Sequence, residues 1–341
     1  MRRFWCMILA GMMLLTVLTG CVRREQTGDT AEEPGQQEET VKQETIRLGG
    51  LKGATSIGMV KLLDDAEQGK TVNAYEFTMA GSADELTPRF LKGELDVLAI
   101  PANLGAVLYQ KSEGAVQMAA VNTLGVLYIV EKGGETVQSL ADLKGKAVYA
   151  TGKGSTPEFT LRYLLQENGV DMDNDLTVNW MSEPTEAVAA MESEENAIAM
   201  LPQPYVTVAS AKLESLRVAL DLTAEWDSLG MDSRLITAGL FVRKDFAEEH
   251  PEAMKSFLEE YAASTRYAND NVEETAELVE KYDIVKAAVA RKAIPDCHIV
   301  CITGEEMEEA VTGFYEVLLE QKPESVGGAL PGEDFYLSYE E

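Results

Sequence analysis

From position 46 onward, short apolar runs alternate with longer stretches whose apolar residues recur every three or four positions. Short runs bounded by turn residues predict buried strands, and the three-and-four spacing predicts amphipathic helices. On this reading 46–51 is a strand, 55–67 a helix and 72–79 a strand, followed by a helical stretch to about 92. The strand 95–100, the helix 104–111 and the strand 116–121 come next. A second series begins after Gly133-Gly134, with a strand at 146–150 and a helix at 157–168 that sets Leu161, Leu164 and Leu165 on one face. Strands at 177–180 and 197–201 each precede a helical segment, and 216–222 closes the set. Strands separated by helical segments imply βαβ units and mainly parallel sheets.

After position 232 the pattern changes to a strand at 235–243 and two long amphipathic helices, 251–269 and 272–282, with acidic outer faces. This region does not read as an independent third domain, so it is expected to complete the first lobe. The expected fold is α/β and two-lobed, each lobe a mainly parallel sheet flanked by helices. Lobe 1 combines 46–128 with 237–341, and lobe 2 is 129–236. Crossings near 125–132 and 232–238 would act as hinges.

The head of the chain carries a different pattern. Met1-Arg2-Arg3 is followed by a nearly unbroken apolar run over 4–18 that ends in Leu18-Thr19-Gly20-Cys21. A charged head, an apolar stretch of this length and small residues before a break read as a secretory signal, here 1–20. The last four residues resemble the lipobox of bacterial lipoproteins, in which cleavage precedes the cysteine and Cys21 receives the lipid. Two acyl chains, at about 0.8 kcal/mol per buried methylene, suffice for stable anchoring. Positions 22–44 are rich in Glu, Gln, Thr and Gly, a composition that cannot bury enough surface to order itself, so 21–45 is expected to be a lipidated flexible stalk. The expected location is the cell membrane, on its extracytoplasmic face.

Acidic residues outnumber basic ones 58 to 29, which argues against nucleic acid or an anionic membrane surface as partner. A single pocket for a small anion remains open, because local donors govern it. Of four cysteines, Cys6 leaves with the signal and Cys21 is blocked by lipid, leaving Cys297 and Cys301. That count excludes a disulfide scaffold. The pair flanks His298; buried inert thiols, a disulfide and a metal site all stay open, although two thiols and one histidine fall short of a four-ligand site.

Several strand ends run into Gly/Ser/Thr/Asn loops that open helices. In Gly152-Lys153-Gly154-Ser155-Thr156-Pro157-Glu158, Ser155 and Glu158 have capping-box spacing and Pro157 suits a first helical turn. Such a terminus presents unpaired N–H groups and a positive dipole end, suited to an oxyanion; it equally suits an ordinary capped helix. Similar loops stand at Gly53-Ala54-Thr55-Ser56, Gly81-Ser82, Pro101-Ala102-Asn103, Asn122-Thr123 and Pro202-Gln203-Pro204. Pro88 lies too deep for a helix capped at Ser82, so that helix is expected either to kink or to start at Thr87. Open α/β sheets bind ligands beyond the carboxyl ends of their strands, and these loops converge there.

The segment 152–156 lacks P-loop spacing, since Gly154 follows Lys153. Neither His250 nor His298 sits in a loop of the kind that partners a nucleophile, and the carboxylate pairs such as Glu305-Glu306 read as solvated helix faces. No cofactor and no metal is expected. Trp180 ends a strand before a Ser-Glu-Pro turn; stacking on a flat ligand and a core or hinge role both fit it. Lys52, Lys153 and Arg234 are the cations near the predicted loops, enough for one anionic group.

Ser139-Leu140-Ala141-Asp142-Leu143-Lys144-Gly145-Lys146, then Gly154-Ser155-Thr156 and a leucine-rich helix ending near Gly169, resembles the second-lobe start of ABC-importer solute-binding proteins of the nitrate, taurine and sulfonate type. Phe241-Val242-Arg243-Lys244-Asp245-Phe246 with Glu249-His250-Pro251-Glu252 resembles the return to the first lobe in that family. The resemblance covers the chain from about Ile46. It implies a periplasmic-binding-protein-like clamshell of type II, not an enzyme, that closes on a small anionic or heterocyclic molecule and docks as a monomer on a membrane permease. Relatives take nitrate, alkanesulfonates, taurine or thiamine-precursor pyrimidines. The family's ligand loops carry over onto Thr55, Ser56, Gly81, Ser82, Asn103, Asn122, Thr123, Ser155, Thr156 and Gln203. A related enzyme branch makes the thiamine pyrimidine, but it carries a cysteine-rich motif absent here. A ligand sensor that presents its closed form to a receptor, or a surface enzyme on the same scaffold, are the other expectations to weigh.

Overall fold

The short apolar runs form eleven strands among residues 43–338, the part that the computed structural model describes. The expected signal peptide, Cys21 and the stalk up to position 42 lie outside the described residues. The strands are β1 Thr45–Leu51, β2 Ala74–Ala80, β3 Val97–Pro101, β4 Val116–Leu124, β5 Leu127–Lys132, β6 Ala147–Thr151, β7 Thr177–Met181, β8 Ala197–Pro202, β9 Leu216–Asp221, β10 Ile236–Arg243 and β11 Ile299–Ile302. They make two sheets. The first has the order β11-β4-β10-β3-β1-β2 and the second β7-β6-β8-β5-β9.

Strands β1 to β4 run one way in the first sheet, while β10 and β11 oppose them. In the second sheet β5 alone opposes the other four. The reversed strands β5 and β10 each begin just after the chain passes from one sheet to the other. Every residue of β3 is buried, as is β10 up to Val242. Both faces of these central strands are therefore covered, and their sequences read as continuous apolar runs instead of alternating ones.

Three expectations change at this level. Positions 127–132, read as part of a crossing, form strand β5, and only Gly125 and Val126 separate it from β4. Two apolar strands so close together leave no turn signal between them. The expected helix 55–67 is two helices, Ala54–Ile57 and Val60–Glu67. The third helix starts at Ala83 and runs on through Pro88, so the start at Thr87 does not occur. Ser82 and Glu85 form a capping box there, and the Thr87 hydroxyl donates to the Ala83 carbonyl at 2.8 Å. These local bonds offset the one that Pro88 cannot donate.

Helix Ala102–Lys111 lies so close to β10 that a Cβ on Gly105 would stand 1.9 Å from the Phe241 ring. Across the molecule, helix Gly304–Gln321 brings Phe314 to 5.6 Å from Trp226, which is fully buried in the short helix Leu222–Asp227 and also meets Tyr163 at 5.1 Å. A helix that follows the first sheet's last strand thus packs on a helix that follows the second sheet's last strand. One apolar cluster contains residues from both sheets and from this contact.

Each sheet has one buried carboxylate. Asp96 accepts from the Arg47 N–H at 2.9 Å and Arg47 Nε at 2.8 Å, tying the start of β3 to β1. Glu131 on β5 accepts from the Thr136 N–H at 2.9 Å, the Val137 N–H at 3.2 Å and the Arg217 guanidinium on β9. Burial alone would raise the Glu131 carboxyl, but the Thr136, Arg217 and Val137 donors outweigh it and hold its pKa below the ordinary glutamate value. A carboxyl depressed on folding stabilises the native state above its unfolded pKa, near 4.3, and loses that contribution as pH falls through the folded value. Glu131→Gln is expected to lower stability. The gap from wild type should be full above about pH 5 and shrink as the medium is acidified, measured by urea denaturation at a series of pH values.

Candidate functional site

The carboxyl ends of the parallel strands in the two sheets face a common cavity of about 540 Å³. From the first sheet come Lys52 to Thr55 after β1, Gly81 to Asp84 after β2, Pro101 ending β3 with Leu104 after it, and Thr123 on β4. Thr151 at the end of β6 and the loop to Ser155, Met181 ending β7 with Ser182 after it, and Pro202 ending β8 with Gln203 and Tyr205 after it come from the second. Thr237 and Ala238 of β10 and Val126 of the crossing also line it, as do Leu51, Leu127, Pro157 and Pro184. Pro101, Thr123, Val126, Thr237 and Ala238 are buried and form its floor, whereas Asp84, Lys153 and Ser182 are exposed at its rim.

Of the residues singled out in the sequence, Thr55, Gly81, Ser82, Thr123, Ser155 and Gln203 line this cavity. Ser56, Asn103, Asn122, Thr156 and Trp180 stand outside it, and most are engaged elsewhere. The Ser56 hydroxyl donates to the Leu51 carbonyl at 2.6 Å. Asn122 donates its amide to the Thr55 carbonyl at 3.0 Å and accepts from the Thr123 hydroxyl at 3.2 Å. Asn103 and Thr156, both fully buried, bind each other between the sheets. The Thr156 hydroxyl donates to Asn103 Oδ1 at 3.1 Å and accepts from the Asn103 N–H at 3.3 Å, while the Asn103 amide donates to the Ser325 carbonyl at 2.9 Å. Trp180 is partly buried and packs against the apolar core.

Loop 152–156 departs from the expected capping box. Ser155 donates its hydroxyl to the Gly152 carbonyl at 2.8 Å, and the Glu158 carboxylate accepts from the Gly154 N–H at 2.7 Å. One backbone donor that the sequence offered to an anion is therefore already taken from within. Gln203 is occupied on its acceptor side, its side-chain carbonyl oxygen accepting from the Thr207 N–H and hydroxyl at 3.3 and 3.0 Å, while its backbone N–H donates to the Val126 carbonyl at 3.0 Å.

The three expected cations separate. Lys52 lines the cavity and pairs with Asp283 at 3.1 Å; Arg234 lies outside it, beside Glu306 at 3.5 Å among other acidic residues. Lys153 lines the rim and has no ion pair among the described residues. Glu183 crosses from the second sheet to the first and fills the space beside Gly81, where a Cβ would stand 2.1 Å from its Oε1.

Sequence reasoning passed over Tyr205, Thr151 and Thr237. The Tyr205 hydroxyl donates to the Lys52 carbonyl at 3.2 Å, a second bond between the sheets, and burial with Glu183 and Asp283 nearby pushes the phenol up to about 12. Tyr205 directly follows the Pro202-Gln203-Pro204 loop, so that loop was the available signal. Thr151 and Thr237 sit inside strands, where a threonine looks like any β-branched strand residue.

Neither histidine lines the cavity. His298, at φ 43°, directs Nδ1 to the Gly125 carbonyl, and His250 stacks on Phe246 at 4.8 Å. Cys297 and Cys301 are free thiols, and burial raises both, Cys301 to about 11. Among the described residues no group of three or more His, Cys, Asp or Glu is placed to hold a metal ion, and no helix is long and apolar enough to cross a membrane.

The geometry has relatives. An ABC transporter protein from Parabacteroides distasonis is 25% identical, with a TM-score of 0.71 over 87% of this chain and 99% of its own. The alkanesulfonate-binding protein from Xanthomonas axonopodis, bound to MOPS, is 15% identical with a TM-score of 0.66 over 86% of this chain and 95% of its own. The periplasmic nitrate-binding protein from Synechocystis PCC 6803 is 14% identical with a TM-score of 0.57 over 75% and 69%. No curated protein matches the chain. The fold is therefore the two-lobed α/β fold of periplasmic binding proteins, as the sequence led one to expect. Residues 54–281, which supply all of the second sheet, four of the six strands of the first and nearly all of the cavity wall, match the NMT1-like family, and the chain belongs to that family.

Proposed function

We propose that this protein is an extracytoplasmic solute-binding lipoprotein of an ABC importer, acting as a monomer that captures a small anionic or heterocyclic molecule between its lobes. The observation that carries the reading is the cavity between the two sheets, walled by the helix-start loops of both. Its volume falls within the range of about 300–1,000 Å³ usual for small-molecule sites. That is spacious for nitrate and suits a ligand with an organic body, such as a sulfonate or a pyrimidine. The sulfonate-binding and nitrate-binding relatives favour the same role. Lys153, the rim cation without an ion pair, suits one negative charge.

In this reading the two sheets with their helices are the two bodies, the expected bounds at 128/129 and 236/237 moving to 125–126 and to the residues before 236 because β5 starts at Leu127 and β10 at Ile236, and ligand contacts from both favour the closed form that a permease detects. The crossings at Gly125-Val126 and before Ile236 would serve as hinges. The lipid on Cys21 and the stalk hold the clamshell near the membrane and raise its effective concentration at the permease. A sensor that presents the same closed form to a receptor shares all of this chemistry. For a surface enzyme, the placement of His250 and His298 outside the cavity removes the expected acid/base candidates.

Thermal unfolding with a panel of sulfonates, nitrate, carboxylates and pyrimidines is expected to show stabilisation by at least one class, since a ligand that binds only the native state raises its apparent stability. No shift with any of them overturns the proposal. With the anion that stabilises most, Lys153→Ala should weaken affinity about tenfold by calorimetry and leave the unfolding temperature of the free protein unchanged. Cys21→Ala should impair uptake by cells while leaving the affinity of the purified protein intact; a fall in affinity would show that the anchor is more than a tether.

A further inference from the structure

The polar side chains of the cavity wall are unequally committed. Thr55 donates its hydroxyl to the Leu51 carbonyl at 3.1 Å, Thr123 to Asn122 Oδ1 at 3.2 Å, Ser155 to the Gly152 carbonyl at 2.8 Å and Tyr205 to the Lys52 carbonyl at 3.2 Å. Each hydroxyl has one proton, so these four face a ligand chiefly as acceptors. Gln203 is the reverse case. Its Oε1 accepts from the Thr207 N–H at 3.3 Å and from the Thr207 hydroxyl at 3.0 Å, in the first turn of the helix Tyr205–Lys212. A backbone N–H can only donate, so the amide oxygen must be the atom turned toward Thr207 and Nε2 the atom turned away.

Nε2 makes no hydrogen bond among the described residues, and it is not one of the side-chain atoms sealed from solvent without a partner, so it keeps accessible surface. The residue as a whole is 5% exposed and lines the cavity, so that surface belongs to the cavity. The main chain is held as firmly, because the Gln203 N–H donates to the carbonyl of Val126, on the cavity floor, at 3.0 Å. The bonds to Thr207 do not explain the nitrogen, since a glutamate carboxylate would accept the same two. What glutamine adds is an –NH2 group fixed in direction beside the floor. A hydroxyl can rotate to donate or accept, whereas an amide nitrogen only donates.

We propose that Gln203 determines specificity, its Nε2 donating to a neutral acceptor on the ligand, a ring nitrogen or a carbonyl, ether or hydroxyl oxygen, at the inner end of the cavity. This rests on the solute-binding role above and narrows the ligand to molecules that carry such an acceptor. Among the described residues no buried wall residue is Lys or Arg, so a full negative charge belongs at the rim, which carries Lys153 and also Asp84. The apolar wall at Leu104, Val126, Leu127 and Met181 takes the body between the two ends. A ligand without the acceptor displaces water from Nε2 and leaves it unmet, a penalty beyond the missing bond itself. Nitrate and unsubstituted alkanesulfonates, whose oxygens all belong to the charged group, are therefore poor ligands.

The test uses wild type and Gln203→Glu in the full mature chain, with probes in matched pairs that differ by one acceptor: pyridine-3-sulfonate against benzenesulfonate, pyridine-3-carboxylate against benzoate, and 4-oxopentanoate against pentanoate. Gln203→Glu keeps an oxygen for Thr207 and replaces only the –NH2, so without probe it should unfold within a few degrees of wild type. By calorimetry, wild type should bind the acceptor-bearing member of at least one pair about tenfold more tightly than its partner, and Gln203→Glu should lose that preference. Wild type that binds both members of every pair alike overturns the proposal, as does a Gln203→Glu variant that retains the preference; either result leaves the solute-binding reading intact. The comparison within wild type needs no variant, so it decides even where Gln203→Glu fails to fold. Should wild type bind none of the pairs, the panel above decides: tightest binding of nitrate, or of a sulfonate or carboxylate without a neutral acceptor, overturns the proposal, whereas a pyrimidine should bind Gln203→Glu about tenfold more weakly. A wild type that responds to no probe at all overturns the solute-binding reading itself.

Discussion

Asn103 and Thr156 meet between the two lobes with no water-accessible surface, and much of the site depends on how they satisfy each other. Both stand at the start of a helix, in loops whose composition suits a ligand. Each would carry an unmet polar group if the other were absent, at a cost of about 1–3 kcal/mol for a buried donor or acceptor. Because they are joined, and because the Asn103 amide is fixed on Ser325, the two helix starts abut behind the cavity instead of lining it. The open space is displaced toward Lys153, Ser82 and Tyr205. Tyr205 on Lys52 and Glu183 against Gly81 set its other edges.

The same rule distributes roles among the loops. A helix start offers free N–H groups, but whether they face a ligand depends on what else can reach them. Glu158 reaches the Gly154 N–H, and Glu85 closes a capping box on Ser82. Lys153, at the rim, makes no ion pair among the described residues.

Fold class was legible because hydrophobic runs of strand length, separated by helical periodicity, leave few ways to bury both kinds of element. Continuous apolar strands such as β3 and β10 could be read directly. Strand β5 escaped because only Gly125 and Val126 part it from β4, too short a gap to carry turn residues. The helix through Pro88 escaped because its capping and the Thr87 side-chain bond outweigh a local rule about proline. In the candidate site, the loops were legible as loops, since Gly, Ser, Thr and Asn at strand ends mark them. Which hydroxyl in each loop is free was not, because that depends on partners far away in sequence, as with Asn103 and Thr156, 53 positions apart.

By itself the sequence determined the alternation of elements, the grouping into two α/β lobes and the strand ends that open onto the cavity. These follow from local periodicity and composition, which each stretch of chain carries alone. Tertiary structure decided which cations and hydroxyls face the cavity. It removed Arg234 from the cavity, paired Lys52 and left Lys153 without an ion pair among the described residues. The physical reason is that a hydrogen bond or ion pair is settled by distance in three dimensions, and competing partners become visible only when the chain has folded.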